Sequence, residues 1–183
     1  MTDDTPAPDA LVCQAVYLLQ GLGECYRCKK QTRMFAMMAL PPFSFEGEQD
    51  QVLDDDGPML SNIINMPANL VGAMRPVTGS IWREDYSRTA RLSYWMNHCE
   101  HCDATQGDHF VQGPNGPFWP YDESDMAAIE AVRIDGPFRL EDVSTAYSSG
   151  MADWRDRRHG VPPVVVSVRK PRKPRVKKAA AGS

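Results

Sequence analysis

The chain has 183 residues, 42% of them apolar, and a formal net charge of −4, a size that suits one domain with a buried core. The charge is divided: Arg169 to Lys178 holds seven basic residues and no acid, leaving thirteen basic against twenty-four acidic residues, or −11, over the first 168. No stretch reaches the roughly 18 apolar residues of a membrane span, and "MTDDTPAPDA" lacks the positive region that opens a secretory signal. A cytoplasmic address with no membrane partner is therefore expected. In that reducing compartment close-set cysteines are more often metal ligands or catalytic thiols than disulfides.

Residues 1–8 read as a disordered leader and 9–160 as one domain. Asp9 is a candidate cap for a first helix, because Leu11, Val12, Ala15, Val16, Leu18 and Leu19 recur at spacings of three and four and Gly21 is placed to end it; a strand is the rival reading. "TRMFAMMAL" is an unbroken apolar run stopped by Pro41-Pro42, the pattern of a buried strand. The acidic stretch "FEGEQDQVLDDDG" fails as a calcium loop. With Gly57 at the sixth position, Val52 and Ile63 fall where carboxylates are required, so a solvated loop is expected.

Pro67 to Met74 predicts a short helix ended by Pro76, and "RLSYWMN" a strand. "QGPNGPFWPYD" reads as loop, and "SDMAAIEAV" as a short helix capped by Ser124. "VRIDGPFRL" suggests a hairpin about Asp135-Gly136, and Val143 to His159 a last helix weakened by Gly150. Residues 161–183, with "VRKPRKPRVKK", interleave prolines and cations and read as a disordered basic tail.

Four of the five cysteines fall in two Cys-x-x-Cys units, "GECYRCKK" and "NHCEHCDATQGD". Tetrahedral zinc holds each sulfur at about 2.3 Å, hence sulfurs about 3.8 Å apart, and a tight turn brings residues i and i+3 to that spacing. The two units resemble the knuckles of the zinc-ribbon group, "CYRCKKQTRMFAM" running from a knuckle into a strand and "YWMNHCEHCDATQGD" from a strand into a knuckle, with Gly107 available for the turn beneath the sulfurs. The resemblance implies a structural Zn(2+) on Cys25, Cys28, Cys99 and Cys102, and a small α+β domain built on that four-cysteine centre. Seventy residues part Cys28 from Cys99, against about 15–20 in the familiar pattern. The longer loop adds about 1.2 kcal/mol of closure cost, little against the roughly 10–16 kcal/mol that structural zinc supplies. Residues 40–90 must then pack in the same domain.

Iron on the same four thiolates is the less favoured metal, and His98, His101 and His109 are less favoured ligands than the cysteines. Cys13 reads as a small buried hydrophobe. A thiol oxidoreductase is the catalytic rival, but it needs its Cys-x-x-Cys at a helix start and explains one pair only. No Walker, dinucleotide, nucleophile-elbow or His-Glu-x-x-His motif occurs. A non-enzymatic accessory module is therefore expected. Its partner is DNA or RNA held by Arg169, Lys170, Arg172, Lys173, Arg175, Lys177 and Lys178, or else a protein met without nucleic acid. Tyr26, Trp95, Phe118, Trp119 and Tyr121 are candidate surface aromatics, with core packing the competing reading.

Overall fold

The computed structural model describes residues 10–46, 57–146 and 148–158, and the backbone of 164–167. The first half holds β1 (Ala10–Glu24), β2 (Gln31–Ala39), β3 (Phe43–Glu46), β4 (Met59–Ser61), α1 (Ala68–Thr78), β5 (Trp82–Ser87) and β6 (Leu92–His98). The second holds β7 (Thr105–Gln106), α2 (Asp108–Gln112), α3 (Glu123–Ala127), β8 (Glu130–Leu140), β9 (Ser144–Ala146), α4 (Ser149–Arg158) and β10 (Val164–Ser167). Strands dominate a mixed α+β architecture. The leader, residues 47–56 of the acidic stretch, and the tail cations lie outside the described residues.

β1 is the axis of a seven-stranded sheet. One of its edges pairs with β8, and the other with β3 over Ala10–Cys13 and then with β2 from Val16 to Glu24. The order continues from β2 to β4 and β9. Because residues 130–140 pair with β1 while 144–146 pair with β4, and Asn65 bridges Glu141 between them, the sheet curls back toward its own start. The segment 40–90 is thus built into the domain through β3, β4 and α1.

The expected first helix is a strand, and its sequence shows why. Leu11, Cys13, Val16 and Leu18 enter one core cluster while Leu19 and the flanking Tyr17 enter the other, so both faces of β1 are covered. β2 divides in the same way, Phe35, Met37 and Ala39 to one side and Met34, Ala36 and Met38 to the other. A strand buried on both faces loses its alternation and reads as a continuous apolar run. Leu70, Ala73 and Met74 of α1, with Trp82 and Trp95, close the first cluster; Val111, Phe118, Met151 and Trp154 close the second.

Other expectations are corrected in detail. The helix begun at Pro67 runs through Pro76 to Thr78 and stops at Gly79, whose φ is 55°. With Pro76 two residues from the end, the helix forgoes one hydrogen bond and keeps Thr78 buried. Asp122, not Ser124, caps α3 and accepts the N–H groups of Ser124 and Asp125, while the end of that apolar run passes into β8. There is no hairpin at Asp135-Gly136. Gly136 and Pro137 form a bulge opposite Gln14, the one kind of interior site where a proline without a donor fits a ladder. The last helix shortens to α4, since 144–146 pair with β4. Val164–Ser167, expected in the tail, pairs in parallel with β8.

Candidate metal centre

The Cys25–Lys30 turn joins β1 to β2, and the Cys99–Ala104 turn joins β6 to β7. Both turns have one backbone design. In the first, the Cys25 N–H donates to the Lys30 carbonyl at 2.9 Å and the Lys29 N–H to the Cys25 carbonyl at 3.0 Å; in the second, Cys99 donates to Ala104 at 2.9 Å and Asp103 to Cys99 at 2.9 Å. Lys29 and Asp103 take φ of 61° and 58° to close them. This is the role expected of Gly107, which instead precedes α2 with φ −70°. No glycine marks either turn, so the left-handed positions had no signal in the sequence.

The four sulfurs meet across the hairpins. Cys25 Sγ lies 3.7 Å from Cys102 Sγ and Cys28 Sγ 3.6 Å from Cys99 Sγ, and all four lie within 4.8 Å of one another. Those cross-hairpin separations match the ~3.8 Å edge of a zinc–thiolate tetrahedron. Cys25 and Cys99 are buried and Cys28 and Cys102 partly so. The group could hold a metal ion, and the chemistry of the donors suits one. Burial pushes the Cys25 thiol up, but the Cys28 and Arg27 N–H groups and the sulfurs of Cys99 and Cys102 bring it down to about 7. The Ala104 N–H pulls Cys102 down, yet burial and the three other sulfurs push it up to about 11. Four thiolates this close repel one another, and a divalent cation removes the conflict.

Side chains brace the centre. Gln106 is buried and donates through Nε2 to Cys25 Sγ at 3.3 Å and to the Ala104 carbonyl at 3.1 Å. The His101 N–H donates to Cys99 Sγ at 3.4 Å. The Glu100 carboxylate accepts the Arg33 N–H at 2.9 Å and the Arg33 guanidinium at 2.8 and 3.0 Å, while the Glu100 N–H donates to Thr32 Oγ1. Behind these, the buried Asn97 amide accepts from the Phe35 N–H at 2.7 Å and donates to the Phe35 carbonyl at 2.8 Å, standing in for a strand partner between the two sheets. None of these supports was singled out beforehand, because each is an ordinary polar residue until the fold brings its partner.

The histidines fall where the four-cysteine reading leaves them. His98 is buried, with Nδ1 at the Met96 and Ile81 carbonyls and Nε2 3.0 Å from Asp85 Oδ2. That hydrogen bond is the main cause of the lowered Asp85 pKa. His101 Nε2 meets the Gln31 carbonyl at 2.9 Å on an exposed side chain, and His109 packs edge-on against Phe110. Cys13 is buried, and burial pushes its thiol up to about 12, as suits a core residue. Of the aromatic candidates Tyr26 and Tyr121 are exposed, Trp95 and Trp119 half-buried, and Phe118 lies in the core at 1% exposure. Among the described residues no helix is long and apolar enough to cross a membrane. Comparison of the chain with protein-family models, with curated proteins and with solved structures yields no match.

Proposed function

We propose that the protein is a non-enzymatic, zinc-stabilised binding module in which Cys25, Cys28, Cys99 and Cys102 hold one structural Zn(2+). The observation that carries this reading is the four-sulfur cluster, all within 4.8 Å and contributed by two matching turns. Four protein thiolates fill a tetrahedral shell and leave no open position for water or substrate, the arrangement of structural zinc sites and not of catalytic ones. Bound there, the ion supplies charge neutralisation and a cross-link between hairpins. The redox rival is disfavoured because Cys25 and Cys28 lie in the turn of a β-hairpin and not in the first turn of a helix. As part of the same reading, the seven tail cations add salt-sensitive attachment to DNA or RNA.

Elemental analysis with absorption spectroscopy tests the metal. One zinc per chain and a colourless protein are expected, with the metal lost in both Cys25→Ser and Cys99→Ser. A coloured, iron-bearing protein overturns the choice of zinc. Loss in only one variant overturns the shared site.

A further inference from the structure

A cleft of about 1070 Å³ opens beside the metal centre, between the first knuckle, the β5–β6 turn and α2. Its volume lies at the upper end of the ~300–1,000 Å³ of ligand sites. Three of the six large apolar side chains exposed among the described residues line it, namely Tyr26, Tyr86 and Phe110, so the cleft concentrates aromatic surface. Tyr26 and Phe110 are 45% and 48% exposed and already stack on each other, with ring centroids 5.1 Å apart and planes 15° from parallel. Such a pair presents a flat face ready for a third ring.

Charged side chains of both signs line the cleft. Three carboxylates line the cleft and each is engaged: Asp103 accepts both its bonds from Arg83 at 2.8 and 3.0 Å, Asp85 holds His98 and the Tyr86 N–H, and Asp108 accepts the Asn62 N–H at 2.6 Å. Two cations also line it, Arg27 and Arg88, and both are exposed and have no acidic partner within ion-pair distance among the described residues. Arg83 matches the charge of Asp103, whereas hydrogen bonds alone leave Asp85 and Asp108 their charge; Arg27 and Arg88 are the lining cations open to a phosphate.

We infer that this cleft binds single-stranded nucleic acid, its bases stacking on the Tyr26–Phe110 face and its phosphates meeting Arg27 and Arg88. Stacking on aromatics with cations along the backbone path is the general chemistry of sequence-tolerant single-strand binding. The inference rests on the binding-module reading, since the knuckle carries Tyr26 and Arg27, and it adds a site that the tail does not supply. A cationic tail attracts any polyanion; only a stacking site distinguishes strands with bases from strands without them.

Fluorescence anisotropy on the full-length, metal-loaded chain makes that distinction, using labelled oligothymidylate, oligouridylate and an abasic phosphodiester strand of equal length. Base-bearing strands are expected to bind on the order of tenfold more tightly than the abasic strand, and the tighter of the two tells DNA from RNA. Tyr26→Ala with Phe110→Ala abolishes the preference while abasic binding persists. Arg88→Ala weakens all strands and flattens the salt slope by about 0.7. Tyr26→Leu, which keeps apolar bulk and loses the flat face, gives the same loss of preference if the alanine pair fails to fold. Neutralising the seven tail cations leaves the preference intact. Equal binding of base-bearing and abasic strands, binding to neither, or a preference that survives the Tyr26 and Phe110 changes overturns the inference. Zinc content measured on the same samples separates the outcomes: metal present without base preference sinks the cleft alone, and metal absent sinks the module reading.

Discussion

The two knuckles share a backbone and differ in what stands behind them. The first closes a hairpin with nine consecutive register pairs from Val16↔Ala39 to Glu24↔Gln31, deep in the main sheet. The second closes a hairpin in which β7 offers two pairs, Asn97↔Gln106 and His98↔Thr105. The first is therefore held by strands already buried on both faces. The second leans on β5, which pairs with β6 over six registers, on borrowed contacts with Arg33, Thr32, Gln31 and Phe35 of β2 and, in our reading, on the metal. A metal bound at these sulfurs would do unequal work for the two halves, which can be tested by breaking one support at a time.

Metal removal is expected to have the largest effect. A chelator should free the amides of 99–106 to exchange with solvent, while those of 16–24 and 31–39 stay protected, with a stability loss of several kcal/mol. Hydrogen exchange read by mass spectrometry checks this; equal exposure of both turns would erase the difference between them. Asn97→Ala comes next. It strands the buried Phe35 N–H and carbonyl, for a cost of about 3 kcal/mol in denaturant unfolding, and it should act on the second hairpin's docking without altering metal stoichiometry.

Glu100→Gln removes charge from the pair with Arg33 and should cost about 1 kcal/mol at neutral pH. The Arg33 hydrogen bond holds the Glu100 carboxyl below its ordinary value. Its stabilisation is thus present above the unfolded carboxylate pKa and disappears as pH falls through the folded one. Wild type and variant stabilities should converge in acid, and a gap that persists there contradicts the assignment. The smallest effect separates the turns themselves. Lys29→Gly relieves a left-handed residue and should stabilise by about 0.5–1 kcal/mol. Asp103→Gly gives the same backbone relief but forfeits the bonds to Arg83, so its net change should be near zero. Thermal melts of the metal-loaded proteins measure both.

The clustering of the four cysteines was legible because Cys-x-x-Cys spacing is local, and so were β2 and β6, whose apolar runs have clear ends. β1 was not. Opposite the β8 bulge its core positions pass from Cys13 to Val16, and burial of both faces adds Tyr17 and Leu19. Together these produce spacings of three and four that imitate a helix. Asp135-Gly136 looked like a hairpin turn because a bulge, here at Gly136-Pro137, and a hairpin both call for residues that break a ladder. Asn97, Glu100 and Gln106 were invisible as supports because their partners lie 62 to 81 residues away. Phe110 was passed over in a stretch whose turn residues drew attention to Phe118, which proved to be core.

The long pairing of β1 with β8 also has a consequence during synthesis. Gln20 finds its partner Glu130 only after 110 further residues have been made, whereas β2 follows β1 at once. For most of translation the nascent chain therefore carries its central strand with one edge open and a row of apolar side chains uncovered, a condition that favours contact with neighbouring chains. A chaperone that engages the emerging chain between the first and last thirds of its synthesis meets the molecule at its most adhesive moment.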